Sequence, residues 1–266
     1  MNDLSRELAP ISHEAWRAIE AEGQRTLKTY LAGRKLVDFN GPKGWAFSAV
    51  STGRVRSLEQ PPSQGVEARL RVVQPLLEIA AEFELDRDEI DAVSRGNDNP
   101  NLDPLIDAAR RLAVAEDRII FDGYPPAGVP GLITGAPKRV SAGGGEDILR
   151  AVSDALELLR EAGVDGPYAL ALGPKWYTDL ARIPGAGRYP LIEHVRKLIE
   201  GPIVWAPALV GGVIVSQRGG DFELTVGRDI SIGYLAHDGA KVRLYLEESL
   251  TFRAPAPEAA VPIGAA

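Results

Sequence analysis

Apolar residues recur at helical spacing three times along the chain. Trp16, Ile19, Gly23, Leu27, Tyr30 and Leu31 share a stripe that predicts a helix over 12–32, with Gly33 placed to stop it. Pro104 opens a second helix through LIDAARRLAVAEDRIIF. Its core stripe is Leu105, Leu112 and Ile119, flanked by Ile106, Ala109, Ala113 and Ile120. The third runs over 146–162, where Ile148, Val152, Ala155 and Leu159 stack and Gly163 follows. Glu116 and Asp117 fall inside the buried part of the second helix, so capping or a salt-bridged structural role is expected of them.

Between these helices the period changes to two. AVSTGRVRSLE and GVEARLRVV flank the turn QPPSQG and predict a long hairpin over 48–73. Arg54 and Arg56 share one face of its first strand, and Arg69 and Arg71 share one face of its second. Four arginines on a ribbon could grip a phosphate backbone or pair with acids of another subunit, for which Glu78, Glu82 and Glu84 stand nearby. Ile79, Ala81, Phe83 and Leu85 then alternate as a strand. Asp86 and Glu89 have capping-box spacing at the start of a short helix closed by Gly96. Further on come a strand at GPYALALG, a short helix at PKWYTDLA, a loop over 182–190 and a helix over 191–200. Residues 201–217 read as two buried strands. RGGDFELTVGRDISIGY, 218–234, reads as a ribbon of two paired strands or a phosphate-carrying turn. A last strand pair surrounds HDGAK, and the tail beyond Arg253 is rich in Ala and Pro. Helices and strands mix without strict βαβ alternation, which predicts an α+β fold.

Composition narrows the functions. The net charge of −7 opposes a global attraction to nucleic acid or an anionic membrane and favours a protein partner for the hairpin arginines. With no cysteine, thiolate metal sites, disulfides and a cysteine nucleophile are excluded. The charged start MNDLSRELAP does not read as a signal peptide, and no run is long and apolar enough for a spanning helix. His13, His194 and His237 are scattered without metal-ligand spacing. The SAGGGED run lacks the Lys-Ser/Thr ending of a phosphate loop, and RIPGAGRYP lacks the third glycine of a dinucleotide fingerprint. A Ser231, Asp221 and His237 triad can be imagined on the terminal strands, but any chain of this size offers such trios. No catalytic site, cofactor or metal is expected.

Several long segments, in order, resemble the encapsulins, bacterial nanocompartment shell proteins also described as linocin-type bacteriocins. They are LAP at 8–10, GRKLVDFNGPKGW at 33–45, and AEDRIIFDG with GVPGL between 115 and 132. GVDGPYALAL, RYPLIEHV, RGGDFELTVGRDISIGY and VRLYLEESLTF complete the set. The resemblance implies a fold like that of tailed-phage major capsid proteins of the Hong Kong phage type. Residues 1–47 would hold the N-terminal helix and the start of a peripheral domain, and 48–73 the extended arm. Residues 74–131 would be the peripheral domain with its long helix, 132–225 the axial domain, and 226–266 the return to the peripheral domain with a C-terminal tail. The tail, without an apolar strand to finish it, is expected to lie outside and to be dispensable.

The resemblance further implies a non-enzymatic shell that assembles with itself in the cytoplasm as an icosahedral homo-oligomer. It would enclose a dye-decolourising peroxidase or a ferritin-like iron protein through the cargo's C-terminal peptide. The short N-terminal region leans toward the smallest shell. On the residues alone, the stripe on the first helix either docks on its own core, the commoner fate, or stays partly open as a groove. The resemblance favours the groove, with Leu27, Tyr30, Leu31, Ile230 and Ile232 as an apolar floor and Arg34 and Asp38 orienting the peptide. Gly185, Ala186, Gly187 and Arg188 would ring a five-fold pore. A bacteriocin-like protease or hydrolase is the alternative function, and a nucleic-acid-filled phage capsid a third reading.

Overall fold

Each of the three helical stripes buries its apolar side against a sheet in the computed structural model, which describes residues 3–60, 62–143, 145, 147–183 and 190–264. Helix α1 spans His13–Tyr30, and its N-cap Ser12 accepts a bond from the Ala15 N–H at 3.2 Å. Helix α3 spans Asp103–Phe121, with Pro104 in its first turn. Ala15 and Ile19 of α1 and Leu105, Ala109 and Leu112 of α3 form one core with Phe83, Leu85, Ile232, Val242, Leu244 and Leu246. Fully burying a leucine or isoleucine contributes about 1.5–3 kcal/mol, so this seam holds both helices to the sheet.

That first sheet contains β1 (Asp38–Asn40), β4 (Leu77–Asp86), β9 (Glu223–Val226), β10 (Ser231–His237) and β11 (Lys241–Arg253). Strand β11 is its axis. On one edge β4 pairs with it without a break, from Lys241 opposite Asp86 to Leu250 opposite Leu77. On the other edge lies 218–234, and here the expected ribbon is corrected. Its two strands do not pair with each other. Strand β9 pairs with Leu250–Arg253 and β10 with Val242–Glu247, both antiparallel. The segment is thus one extended companion of β11, interrupted between Gly227 and Ile230, where Gly227 and Arg228 exchange backbone bonds with Ser249.

A second sheet has the order β5-β12-β8-β6-β7. Its strands are β5 (Val140–Ser141), β6 (Tyr168–Leu172), β7 (Ile203–Trp205), β8 (Gly212–Ser216) and β12 (Ala260–Gly264). It packs with α4 (Asp147–Glu161), α5 (Pro174–Arg182) and α6 (Leu191–Ile199) in the larger core. Strand β12 corrects the reading of the tail. It lies between β8, antiparallel, and β5, parallel, and Ala259 to Ile263 are buried. A strand shielded on both faces needs no alternation, and Pro262 argues against an interior strand by composition, so the pattern concealed it.

The arm, β2 (Ala49–Ser57) with β3 (Arg69–Pro75), pairs only with itself. Val55 stands opposite Arg71, Arg56 opposite Leu70 and Ser57 opposite Arg69. Directly opposed residues share a face, so Arg54 and Arg56 lie on one side of the ribbon and Arg69 and Arg71 on the other. Both sides also expose apolar groups, Val55 and Val73 on one, Leu70 and Val72 on the other. The short helix α2 (Arg87–Ser94) follows β4; Asp86 is its N-cap but makes no side-chain capping bond. Among the described residues no helix is long and apolar enough to cross a membrane.

Candidate functional site

Helix α1 crosses β10 closely at Gly23, where a Cβ would meet Ile232 Cδ1 at 3.7 Å. Beside this crossing opens a groove of about 170 Å³, floored by Gly23, Leu27, Ile230, Ile232 and Leu246 and bordered by Leu4, Arg6 and Glu20. Three of the expected floor residues, Leu27, Ile230 and Ile232, meet here. The N-terminal segment forms one bank. The Leu4 carbonyl accepts from the Tyr234 N–H at 2.9 Å, Asp3 pairs with Arg228, and Arg6 reaches Glu20 at 2.6 Å while lying 4.1 Å over the Trp16 ring.

The other four expected residues lie elsewhere. Tyr30 sets its ring edge-on to Trp205 at 5.6 Å, with Arg110 over its face, and Leu31 is buried at the end of α1. Asp38 accepts from the Gly220 N–H at 2.6 Å, tying β1 to the turn before β9. Arg34 does not reach the groove rim. Its Nε and Nη2 clamp Glu116 at 2.8 Å, Nη1 reaches Asp229 at 2.8 Å and Nη2 reaches Glu248 at 2.6 Å. Burial works against the Arg34 charge and is outweighed by Glu116, Glu248 and Asp229, which hold its pKa above the ordinary arginine value.

The expected structural roles of the acid pair in α3 are present. Glu116 is salt-bridged, and Asp117 accepts from the N–H groups of Gly33 at 2.7 Å and Ala32 at 3.1 Å. Burial pushes the Asp117 carboxyl up to about 7 against the pull of those donors. Glycine at 33 suits this closeness, since a Cβ there would lie 2.5 Å from Ile120 Cδ1 and 3.1 Å from Asp117 Oδ1 and force a shift. The cluster also reaches the groove, because the Asp229 oxygen that takes Arg34 also takes the N–H of Ile230.

Sequence reasoning missed this cluster, yet a signal was present. Val242, Leu244, Leu246, Leu250 and Phe252 alternate onto the buried face of β11, and Glu248 falls in the same series. The imagined triad is dispersed: Ser231 bonds to the Asp229 carbonyl, Asp221 to Arg218, and His237 to the Tyr234 hydroxyl. Among the described residues no group of three or more His, Cys, Asp or Glu could hold a metal. Gly185, Ala186, Gly187 and Arg188 lie outside the described residues.

Residues 1–251 match the sequence profile of the family described as "Encapsulating protein for peroxidase". The chain belongs to the encapsulin family. It is 50% identical to a type 1 encapsulin shell protein of Rhodospirillum rubrum, over 99% of this chain and 96% of that one. The fold is that of the tailed-phage capsid proteins. A virus-like particle from Pyrococcus furiosus superposes with a TM-score of 0.66 at 16% identity, covering 92% of this chain and 98% of that chain. The capsid of Myoviridae phage XM1 gives 0.54 at 9% identity, covering 84% and 88%. In this encapsulin the first sheet with α1 and α3 carries the groove.

Proposed function

We propose that this encapsulin is the subunit of a closed icosahedral shell and that the groove between α1 and β10 captures a short apolar peptide at the C-terminus of a cargo enzyme. The groove's apolar floor, with charged groups confined to its bank, is the observation that supports this reading. About 170 Å³ holds one or two aliphatic side chains and falls below the roughly 300–1,000 Å³ of small-molecule sites. Arg6, Glu20 and Ser231 replace Arg34 and Asp38 as the polar groups that would orient the peptide.

The arm supports assembly. Its two faces both expose valine or leucine beside arginine pairs, a surface that one subunit leaves uncovered. Symmetry-related copies would cover it, with the acids on the exposed face of β4 (Glu78, Glu82 and Glu84) as charge partners. The family's description points to a peroxidase as cargo, with a ferritin-like iron protein as the other candidate. Gly185, Ala186, Gly187 and Arg188 are proposed to line the five-fold pore, on the strength of the resemblance. The proposed shell acts without catalysis, cofactor, nucleic acid or membrane, in the cytoplasm.

Negative-stain electron microscopy of the protein expressed alone tests assembly: uniform hollow spheres are expected, and a small oligomer would sink the reading. An absorbance ratio on the particles tests for nucleic acid. Co-expression with a fluorescent protein carrying a candidate cargo's C-terminal peptide then tests capture, by comigration with the particles.

A further inference from the structure

Three carboxylates, Glu116, Glu248 and Asp229, surround the single guanidinium of Arg34. Glu116 and Glu248 are wholly shielded from solvent, whereas Asp229 is partly exposed. Both buried glutamates place an oxygen on the same Nη2, at 2.8 and 2.6 Å. If both were ionised, two buried charges would share one cation already pledged to Asp229. Buried carboxylates in such a position neutralise instead. The second oxygen of Glu248, Oε2, is buried and has no hydrogen-bond partner. A carboxylate oxygen cannot bond to another, so this orphan is what two ionised neighbours would leave.

Among the described residues no cation besides Arg34 pairs with Glu116 or Glu248. Asp117 adjoins on α3, and with its own carboxyl pushed up to about 7 by burial it supplies no cation. Lys35, on the Arg34 turn, is exposed and donates to the Lys28 carbonyl at 3.3 Å. From β4 the residue opposite Glu248 is Ile79, and over Arg34 lies the Phe39 ring at 5.1 Å.

We propose that Glu248 holds a proton on Oε2 at neutral pH and donates it to the Glu116 carboxylate, and that this proton is a pH-sensitive fastening between α3, β11 and the Asp229 segment. Burial first, and the Glu116 charge second, push the Glu248 carboxyl well above the ordinary glutamate range, against the pull of Arg34. A raised folded pKa fixes the sign. The stabilisation is complete below the unfolded value of about 4.3 and is lost as pH rises through the folded one. Alkaline conditions therefore loosen the fold, and the loosening reaches Ile230 through Asp229.

Infrared spectroscopy of the purified protein at neutral pH separates protonated carboxyl from carboxylate. The expected spectrum has a buried protonated-carboxyl band that isotope-labelled glutamate shifts and Glu248→Gln removes; labelling glutamate alone separates it from Asp117. A spectrum without that band overturns the proposal. From about pH 6 to about pH 9 the wild-type melting temperature should fall, and that of Glu248→Gln should fall less, the remaining fall coming from Asp117. Equal slopes also overturn it. Should Glu248→Gln fail to fold, the labelled wild-type spectrum still decides. The infrared readout involves neither cargo nor assembly, so its failure leaves the proposed function standing.

Discussion

Arg34 and Glu116 form a two-pronged ion pair, Nε to Oε1 and Nη2 to Oε2 at 2.8 Å each, between a turn that follows α1 and the interior of α3. The pair fastens the turn after the groove-bearing helix to α3, and Glu248 extends the clamp to β11. Arg34→Ala should leave Glu116 and Glu248 without their cation and cost about 3–5 kcal/mol, measured by denaturant unfolding. Arg34→Lys should recover little, because an ammonium cannot fork onto Glu116 while reaching Asp229 and Glu248. A lysine variant as stable as wild type would count against this account.

Removing the chain from Pro255 onward should be disruptive. The cut deletes β12, whose Ala260–Ile263 pair with Val215–Gly212 of β8 and are buried. Several buried side chains and a full ladder of backbone bonds go with it, so the expected product is insoluble or lacks a cooperative melt. A soluble truncation with the wild-type melting temperature would restore the view of a dispensable tail.

Groove and stability should separate at Leu27. The side chain is half-buried, so Leu27→Glu should fold and form particles while losing peptide capture at least tenfold. Ile232→Ala adds a second test, since it enlarges the floor without adding charge. Pull-down of a peptide-tagged reporter by intact particles gives the reading, and unchanged capture by both variants would remove the groove from the site.

Reversing Arg69 and Arg71 to glutamate should block closed particles without unfolding the subunit. Both lie on one exposed face of the arm, and only Arg69 has a local ion pair, with Glu67. Exposed pairs contribute at most about 1 kcal/mol within a subunit, so a loss of particles would report contacts between copies. Size-exclusion chromatography distinguishes particles from subunits. Restoration by Glu82→Lys with Glu84→Lys would identify the partner face.

The elements with strong periodicity were legible from sequence. Helices α1, α3 and α4 and the alternating β4 lie where their apolar positions put them, because each packs one face against a core. Pairing was less legible. Strands β9 and β10 look like a hairpin because Gly227 and Asp229 resemble a turn, whereas the choice of β11 as common partner is made by a segment further along the chain. The groove was half-legible: Leu27, Ile230 and Ile232 converge, but Tyr30 at the end of the same helix turns its ring to Trp205, and Leu31, the C-cap, is buried. Arg34 looked available for a ligand because sequence does not reveal that Glu116, Asp229 and Glu248 already surround it.

The place of β12 between β5 and β8 also sets an order of events during synthesis. Val140 must wait for Ile263 before its edge of the sheet can close. Until β12 emerges from the ribosome, β8 is itself an open edge and the second core is incomplete. A subunit still being translated therefore offers its neighbours an unfinished surface. Pairing of β12 with β8 covers that edge and completes the second core.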